Sequence, residues 1–231
     1  MIGIIGAMES EVKAIYEKMT SKQEIKLCDL TFYKGILWEK EVVVVKCGVG
    51  KVNAALCTQI LISSFHPDKI INTGIAGATG KGLEIYDFVI STEAVYHDFD
   101  TVAFGYKLGQ VPGFPEMFKA DEKLISTFEE AFYKTDFSKS HKIQKGTIAS
   151  GDQFISESKK KSFIIENFHP ECVEMEGAAI AHACYLNNVP FVIIRCMSDM
   201  ADDSGEKVYD FNEKNAAELS AALVRGMLGR I

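Results

Sequence analysis

Arginine is scarce in this chain. Only Arg195, Arg225 and Arg230 occur among 231 residues, and two of them lie within the last seven. Proteins that grip several phosphates usually rely on the bidentate arginine fork, although lysines and backbone amides also bind phosphate. With 25 Lys+Arg against 32 Asp+Glu, the formal net charge is −7, which disfavours a nucleic-acid partner. We therefore expect a ligand that is poor in phosphate, and no nucleic acid.

Metal-binding and secretion signals are also absent. The six cysteines form no Cys-x-x-Cys pair, and neither His97 nor His182 has a partner at a spacing typical of zinc ligands. No apolar run approaches the ~18 residues of a membrane span. Glu9 and Glu11 precede the first lysine, which is unlike a secretory leader. We predict a reduced, cytoplasmic protein with no metal, no cofactor and no membrane partner.

What the chain has instead is an alternation of strand-like and helix-like segments. Runs rich in Val and Ile, such as Val42–Cys47 and Phe191–Cys196, alternate with segments whose apolar residues have helical spacing. The later helices are predicted at Asp121–Tyr133, Glu157–Glu166, Glu176–Leu186 and Asp210–Leu228. Continuous apolar strands between amphipathic helices indicate a sheet covered on both faces. We predict one α/β domain over residues 1–231, with three αβα layers.

Two local features refine this prediction. Asp210 and Glu213 form the pattern of a capping box, which places the start of the last helix at Asp210. Tyr96–Lys119 is a long irregular segment rich in Gly, Pro and Phe. Loops of that length inside a domain are usually functional.

Glycine-rich turns follow three of the predicted strands. Gly3-x-x-Gly6 and Gly48-x-Gly50 do not complete the dinucleotide-binding fingerprint, and the Gly74–Gly82 segment lacks the Ser or Thr of a P-loop. Each turn by itself is explained by tight chain reversal. Together, at three strand ends, they also fit a close approach of the backbone to a ligand.

Carboxylates form the second group at strand ends. Glu11, Glu176 and Asp199 each lie just past or at the end of a predicted buried strand. Each one alone is explained as a helix-start residue. In a shared cleft, however, they are the groups that glycosidic cleavage needs, with one protonating the leaving group and another activating water. No Gly-x-Ser-x-Gly elbow supports acyl transfer through serine.

Several blocks, in order along almost the whole chain, resemble one known family. They are Gly3-Ile4-Ile5-Gly6-Ala7-Met8-Glu9-Ser10-Glu11-Val12, Asn72-Thr73-Gly74-Ile75-Ala76-Gly77, Tyr96-His97-Asp98, Ala103-Phe104-Gly105-Tyr106, Gly109-Gln110-Val111-Pro112-Gly113, Ser150-Gly151-Asp152-Gln153-Phe154-Ile155, Val173-Glu174-Met175-Glu176 and Ser198-Asp199. The chain resembles the bacterial 5′-methylthioadenosine/S-adenosylhomocysteine nucleosidases. The resemblance implies a nucleoside-phosphorylase-like α/β fold with a mixed, twisted central sheet, a homodimer, and hydrolysis of adenine nucleosides without a cofactor.

The resemblance also implies roles for individual residues. Glu11 becomes the general base for the attacking water, and Asp199, held by Ser198, becomes the acid that protonates adenine N7. Glu176 binds the ribose hydroxyls. The remaining residues implied to bind substrate are Glu174, Met175 at the sugar face, Phe154 and Ile155 at adenine, Ala76 and Gly77 beside the ligand, Val49 at the 5′-thio group, and Tyr209 or Phe211 over that pocket. Thr101, Phe104 and Pro112 reach it from the neighbouring subunit.

Two departures from the family pattern leave the 5′ substituent open. Ile75 stands where many relatives have a small hydroxyl residue, and Thr101 replaces an aliphatic residue. Gly177 after Glu176 is a further difference, which we interpret as a change in packing. The alternatives are a phosphorolytic enzyme of the same fold, a non-catalytic nucleoside-binding module, and a relative acting on aminodeoxyfutalosine. Carboxylates in the loop after the first strand favour water over phosphate as the nucleophile. The preference among methylthioadenosine, adenosylhomocysteine and 5′-deoxyadenosine stays open.

Overall fold

The strands and helices alternate as the sequence predicts. A computed structural model describes residues 1–203 and 205–230, without the side chains of residues 205–207, 210 and 211. The strands are β1 (Ile2–Gly6), β2 (Thr20–Leu27), β3 (Leu30–Leu37), β4 (Lys40–Lys46), β5 (Lys69–Ala78), β6 (Phe88–Tyr96), β7 (Phe118–Lys119), β8 (Ile143–Ser150), β9 (Cys172–Glu174) and β10 (Phe191–Asp199). The helices are α1 (Glu9–Tyr16), α2 (Lys51–Phe65), α3 (Glu122–Tyr133), α4 (Ser158–Phe168), α5 (Gly177–Asn187) and α6 (Gly205–Leu228).

One mixed sheet contains all the strands. From the central β5, the order on one side is β1, β4, β3, β2, with β1 parallel to both β4 and β5. On the other side, β10 pairs with β5 in parallel. Strands β6, β8 and β9 continue in that order from β10, and β9 pairs with the last residues of β5. The parallel strands β1, β4, β5 and β10 therefore end at one edge of the sheet, where α/β proteins bind ligands.

Alternating side chains build a core on each face of the sheet. Ile5, Val43 and Val45 pack with α2 and α5 on one face, whereas Ile4 and Val44 pack with α1, α3 and α6 on the other. Successive strand residues point to opposite faces, so an unbroken apolar run covers both. The predicted α/β fold with a sheet between two helical layers is confirmed.

The predicted start of the last helix needs correction, and one eight-residue strand was missed. The helix α6 begins at Gly205 rather than at Asp210, and Glu213 accepts a hydrogen bond of 3.0 Å from the Ser10 hydroxyl. Strand β2 was not predicted, because most of its residues are exposed and it lacks an apolar pattern. It lies at the outer end of the sheet, where backbone pairing with β3 suffices.

Within the described residues, no helix is long and apolar enough to cross a bilayer.

Candidate active site

A narrow cleft lies at the carboxyl edge of the sheet, above β1, β5 and β10. Its volume is about 90 Å³, below the roughly 300–1,000 Å³ of typical small-molecule sites. The Phe154 and Tyr209 rings meet edge to face across it, with centroids 5.4 Å apart. The lining residues are Ala7, Met8, Glu11, Val49, Ile75, Ala76, Gly77, Phe154, Val173, Glu174, Met175, Glu176, Ser198, Asp199 and Tyr209. We expect these two rings to separate when a ligand enters.

Glu11 sits in the first turn of α1 and its carboxylate folds back over the end of β1. Its Oε2 accepts hydrogen bonds from the backbone N–H groups of Ala7, at 2.6 Å, and Met8, at 2.9 Å. Its Oε1 accepts one from Ile75 on β5, at 3.1 Å. A Cβ at Gly74 would lie 2.5 Å from Oε1, so only glycine admits the carboxylate this close to β5. Burial raises the pKa of Glu11, although Arg195 and these three N–H donors oppose the shift.

Asp199 ends β10 on the opposite side of β5 and is also buried. Its Oδ1 accepts a hydrogen bond of 2.8 Å from Ala201 N–H, and its Oδ2 lies 2.8 Å from the Ser198 hydroxyl. The same hydroxyl is 3.3 Å from the Ala76 carbonyl oxygen. Ser198 can therefore donate to an ionised Asp199, or donate to Ala76 and accept from a protonated Asp199. Burial raises the pKa of Asp199 despite the donors from Ala201 and Ser198.

Glu176 provides a third buried carboxylate at the N-terminus of α5. Its Oε1 accepts a hydrogen bond of 2.8 Å from Gly50 N–H, which ties the turn before α2 to the cleft. Burial raises the pKa of Glu176, and the neighbouring charge of Glu174 raises it further. The cleft therefore contains three carboxylates that are largely shielded from solvent.

The chain resembles proteins of known activity throughout its length. A family model for the phosphorylase superfamily matches residues 1–229. The 5′-methylthioadenosine/S-adenosylhomocysteine nucleosidase of Staphylococcus carnosus is 44% identical over 230 residues, covering 99% of each chain. The solved structure of the Neisseria meningitidis nucleosidase in complex with methylthio-immucillin-A is 39% identical, with a TM-score of 0.96 over 100% of this chain and 99% of that chain. This chain belongs to the 5′-methylthioadenosine/S-adenosylhomocysteine nucleosidase family.

The family consists of N-glycosyl hydrolases, and one similar structure is named for a different reaction. The solved futalosine hydrolase of Helicobacter pylori is 33% identical, with a TM-score of 0.94 over 100% of this chain and 97% of that chain. The fold by itself therefore does not specify which nucleoside is hydrolysed.

Most residues that the family resemblance assigns to the ligand lie together in this member. Glu11, Asp199, Ala76, Gly77, Phe154, Met175, Glu176, Ser198, Val49 and Tyr209 line the cleft, and Ile155 lines a small extension behind Phe154. Thr101, Phe104 and Pro112 do not line it within one chain. The Phe211 side chain lies outside the described residues. No cluster of histidine, cysteine or acidic residues in the described part of the chain is arranged to hold a metal ion.

Glu174 has a different environment from the substrate contact that we predicted. It borders the cleft, but its carboxylate forms an ion pair with Arg195 and accepts hydrogen bonds from the Ser150 hydroxyl and from Gly177 N–H. Glu176 N–H also donates to it, at 3.1 Å. With both oxygens held by protein donors, Glu174 is placed to position the segment that carries Met175 and Glu176.

Arg195 is the important residue that sequence reasoning missed. It is fully buried in β10, donates a hydrogen bond of 2.6 Å to Asn72 Oδ1, and pairs with Glu174. Burial by itself would lower the pKa of Arg195, but Glu174, Glu11 and Glu176 raise it above its usual range. The sequence did contain a sign of this role, because Arg195 is a charged residue inside the apolar run Phe191–Ser198. A charged residue that is buried needs a partner of opposite charge.

Proposed function

We propose that this chain hydrolyses the N-glycosidic bond of 5′-methylthioadenosine and S-adenosylhomocysteine, releasing adenine and the 5-substituted ribose. The observation that carries the proposal is that Glu11 and Asp199, two buried carboxylates at the ends of different strands, border one cleft. Burial raises the pKa of both groups, which suits one to accept and the other to donate a proton closer to neutral pH.

The steps follow from the position of each group. Glu11 takes a proton from water as its oxygen bonds to the anomeric carbon, while Asp199 protonates adenine N7. The bond to N9 breaks and adenine leaves as a neutral purine. The transition state between these events resembles an oxocarbenium ion, which nearby carboxylates stabilise. Glu176 Oε2 binds the ribose 2′- and 3′-hydroxyls, since Oε1 is held by Gly50.

The adenine and 5′ ends lie on opposite sides of this reacting centre. Phe154 stacks on adenine, Ile155 reads its edge through the backbone, and Ala76 and Gly77 leave room for the ring. Met175 packs against the sugar, and Val49 with Tyr209 or Phe211 contacts the 5′-thio group. The arrangement of the cleft supports this orientation. Asp199 and Phe154 lie on one side of β5, and Glu11 and Val49 lie on the other side.

Water, rather than phosphate, is the nucleophile in this proposal. Arg195 is committed to Glu174 and Asn72, Arg225 donates to the Ala14 carbonyl oxygen, and Arg230 donates to Gly226. No lysine or uncommitted arginine lines the cleft within the described residues, whereas Glu11, Glu174 and Glu176 do. A phosphate dianion would face carboxylates without a compensating cation.

Chromatography of the released base tests the proposal. We expect adenine from methylthioadenosine and adenosylhomocysteine, at rates that added phosphate does not change, together with a free sugar. Release that requires phosphate and yields a sugar 1-phosphate would establish the phosphorolytic alternative. Binding without release would establish the non-catalytic nucleoside-binding module, which has no use for paired acid and base groups.

The wider substrate range is part of the same proposal. We include 5′-deoxyadenosine as a substrate, because the roles of Glu11, Asp199 and Glu176 do not involve the 5′ substituent. Aminodeoxyfutalosine stays an alternative substrate. Only the 5′ pocket distinguishes it from the substrates named above, and in the family pattern Ile75 and Thr101 lie near that pocket. A role in methionine salvage and in removing by-products of adenosylmethionine, and a cytoplasmic location, stay predictions.

We further propose a homodimer in which Thr101, Phe104 and Pro112 of each subunit complete the neighbouring 5′ pocket. The support is an exposed apolar surface formed by the Tyr96–Lys119 segment and by α2. Phe104 is 81% exposed, and Val52 on α2 is 69% exposed. Apolar groups this exposed are typical of surfaces that a partner covers.

A Phe104→Ser variant tests the dimer. It should shift the light-scattering mass toward a monomer and lower the specific activity, because the 5′ pocket loses its apolar wall. Phe163→Ser is the control, since Phe163 is another exposed phenylalanine, located on α4. Full activity from a wild-type monomer at low concentration would contradict the shared pocket.

A further inference from the structure

A second and larger cavity opens beside the cleft at the same edge of the sheet. Its volume is about 550 Å³, and it lies over the end of β4 and the start of β3, against the first turns of α2. Glu9, Lys46, Gly48 and Asn53 are among its lining residues. None of these residues has a role in the reaction proposed above.

The two cavities share a wall one chain thick. Met8 and Val49 line the cleft, and their chain neighbours Glu9 and Gly48 line the second cavity. The two segments are joined by a hydrogen bond of 3.1 Å from Gly48 N–H to the Ala7 carbonyl oxygen. Only these two joined segments therefore separate the cleft from the second cavity.

The order of the strands indicates which part of a ligand arrives there. In the proposed orientation, adenine lies toward Asp199 on β10, the reacting carbon lies near Glu11 after β1, and the 5′ end lies at Val49 after β4. The next strand in that direction is β3. Neighbouring strands are about 4.8 Å apart, which a chain of three carbons beyond the 5′ sulfur can span.

We propose that this second cavity binds the α-amino-acid end of S-adenosylhomocysteine, with Glu9 receiving the ammonium group and Lys46 the carboxylate. The inference rests on the proposed function, because it extends a nucleoside already seated in the cleft. Glu9 Oε2 and Lys46 Nζ are 3.8 Å apart, and each side chain is about half exposed, at 50% and 53%. Such a loosely held, solvated pair contributes little by itself and can open around a ligand of matching charges.

Glu9 is pre-positioned for this contact. The Tyr16 hydroxyl donates a hydrogen bond to its Oε1, which leaves Oε2 facing Lys46. Asn53 is held in place by a 2.7 Å hydrogen bond from its side chain to the Val49 carbonyl oxygen, so it stiffens the shared wall. Methylthioadenosine ends at a methyl group and makes neither charged contact. The Glu9–Lys46 pair therefore contacts adenosylhomocysteine but not methylthioadenosine.

The test compares the kcat/KM of three compounds in Lys46→Met and Glu9→Gln variants. The compounds are adenosylhomocysteine, methylthioadenosine, and 5′-butylthioadenosine, which has a tail of similar length without charges. For each variant, the ratio of adenosylhomocysteine to methylthioadenosine kcat/KM should fall about 5- to 10-fold, mainly through KM, as expected for losing a charged hydrogen bond. The ratio for 5′-butylthioadenosine should not change.

Lys13→Met and Glu17→Gln serve as matched controls. Lys13 and Glu17 form an ion pair with the same 3.8 Å separation and similar exposure, away from both cavities. These variants should leave every ratio at the wild-type value. Equal loss of all three substrates in the Lys46 and Glu9 variants, or an unchanged ratio, would overturn the amino-acid site while leaving the hydrolase proposal intact. Failure of the wild-type chain to release adenine from any of the compounds would instead overturn the proposed function.

Discussion

Replacing Asp199 with asparagine is expected to reduce kcat for methylthioadenosine by about 10²- to 10⁴-fold, the usual contribution of a general acid. The amide cannot protonate N7, so adenine would have to leave as an anion. The side chain should still fit, because an amide oxygen can accept from Ala201 N–H and an amide NH₂ can donate to the Ser198 hydroxyl, whose own proton goes to Ala76. Steady-state adenine release measures the effect.

The pH dependence gives this prediction a definite sign. Burial raises the pKa of Asp199, so folding favours the neutral acid relative to the unfolded chain. The stabilising contribution of that neutral form is complete at low pH and is lost as the pH rises through the raised pKa. Wild-type kcat/KM should fall as the pH rises through the same range, and Asp199→Asn should lack this alkaline decrease. The thermal stability of Asp199→Asn relative to wild type should increase as the pH increases.

A second buried aspartate provides the control for Asp199. Asp87 is as buried as Asp199, but it accepts hydrogen bonds from Glu84 and Lys142 N–H groups outside the cleft. Asp87→Asn should cost stability without changing the turnover of folded molecules. Turnover close to wild type in Asp199→Asn would show that another group protonates the leaving base.

Replacing Glu11 with glutamine is expected to reduce kcat by a similar factor of about 10²–10⁴. Three backbone N–H groups, those of Ala7, Met8 and Ile75, converge on the two oxygens of the Glu11 carboxylate. Glutamine offers only one oxygen, so its NH₂ would face at least one of these donors, and it cannot take a proton from water. The variant should still bind substrate, since Glu176 and Phe154 are unchanged.

The acidic limb of the pH profile reports on Glu11. Burial raises its pKa against the opposing effects of Arg195 and the backbone donors. As a base it must be ionised, so wild-type kcat/KM should fall as the pH drops through that raised pKa, and Glu11→Gln should be flat there. Glu17→Gln, at an exposed position just past the same helix, is the control and should behave as wild type. An unaltered acidic limb in Glu11→Gln would assign the base to another residue.

The positions of the carboxylates illustrate what could be predicted without a structure. Glu11 follows β1 and Asp199 ends β10, and both strands are parallel to β5 and end at one edge of the sheet. Glu176 follows β9, which runs antiparallel to β5, so this rule does not account for its position. The unbroken apolar run Val42–Val45, whose residues alternate between the two cores, likewise indicates a sheet covered on both faces. These inferences depend only on local pattern, and the structure agrees with them.

Pairing between distant residues could not be predicted in the same way. Arg195 and Glu174 are 21 positions apart, and Ile75 N–H reaches Glu11 across 64 positions. Whether Glu174 contacts a ligand or an arginine depends on which donors the fold brings to it, and it is held by Arg195, Ser150 and Gly177. Glu213, which the sequence predicts as part of a capping box, likewise bonds to the distant Ser10 on α1.

By itself, then, the sequence determined the α/β class, the strand ends that carry acid and base groups, and the scarcity of arginine that argues against phosphate. Only the tertiary structure decided that Arg195 is bonded to Glu174 and Asn72. It also decided that Glu11 and Asp199 are buried on either side of β5, and that a second cavity lies beside the cleft past β4. The physical reason is that apolar periodicity is a local property of the chain. Desolvation and charge pairing depend on contacts between segments far apart in it.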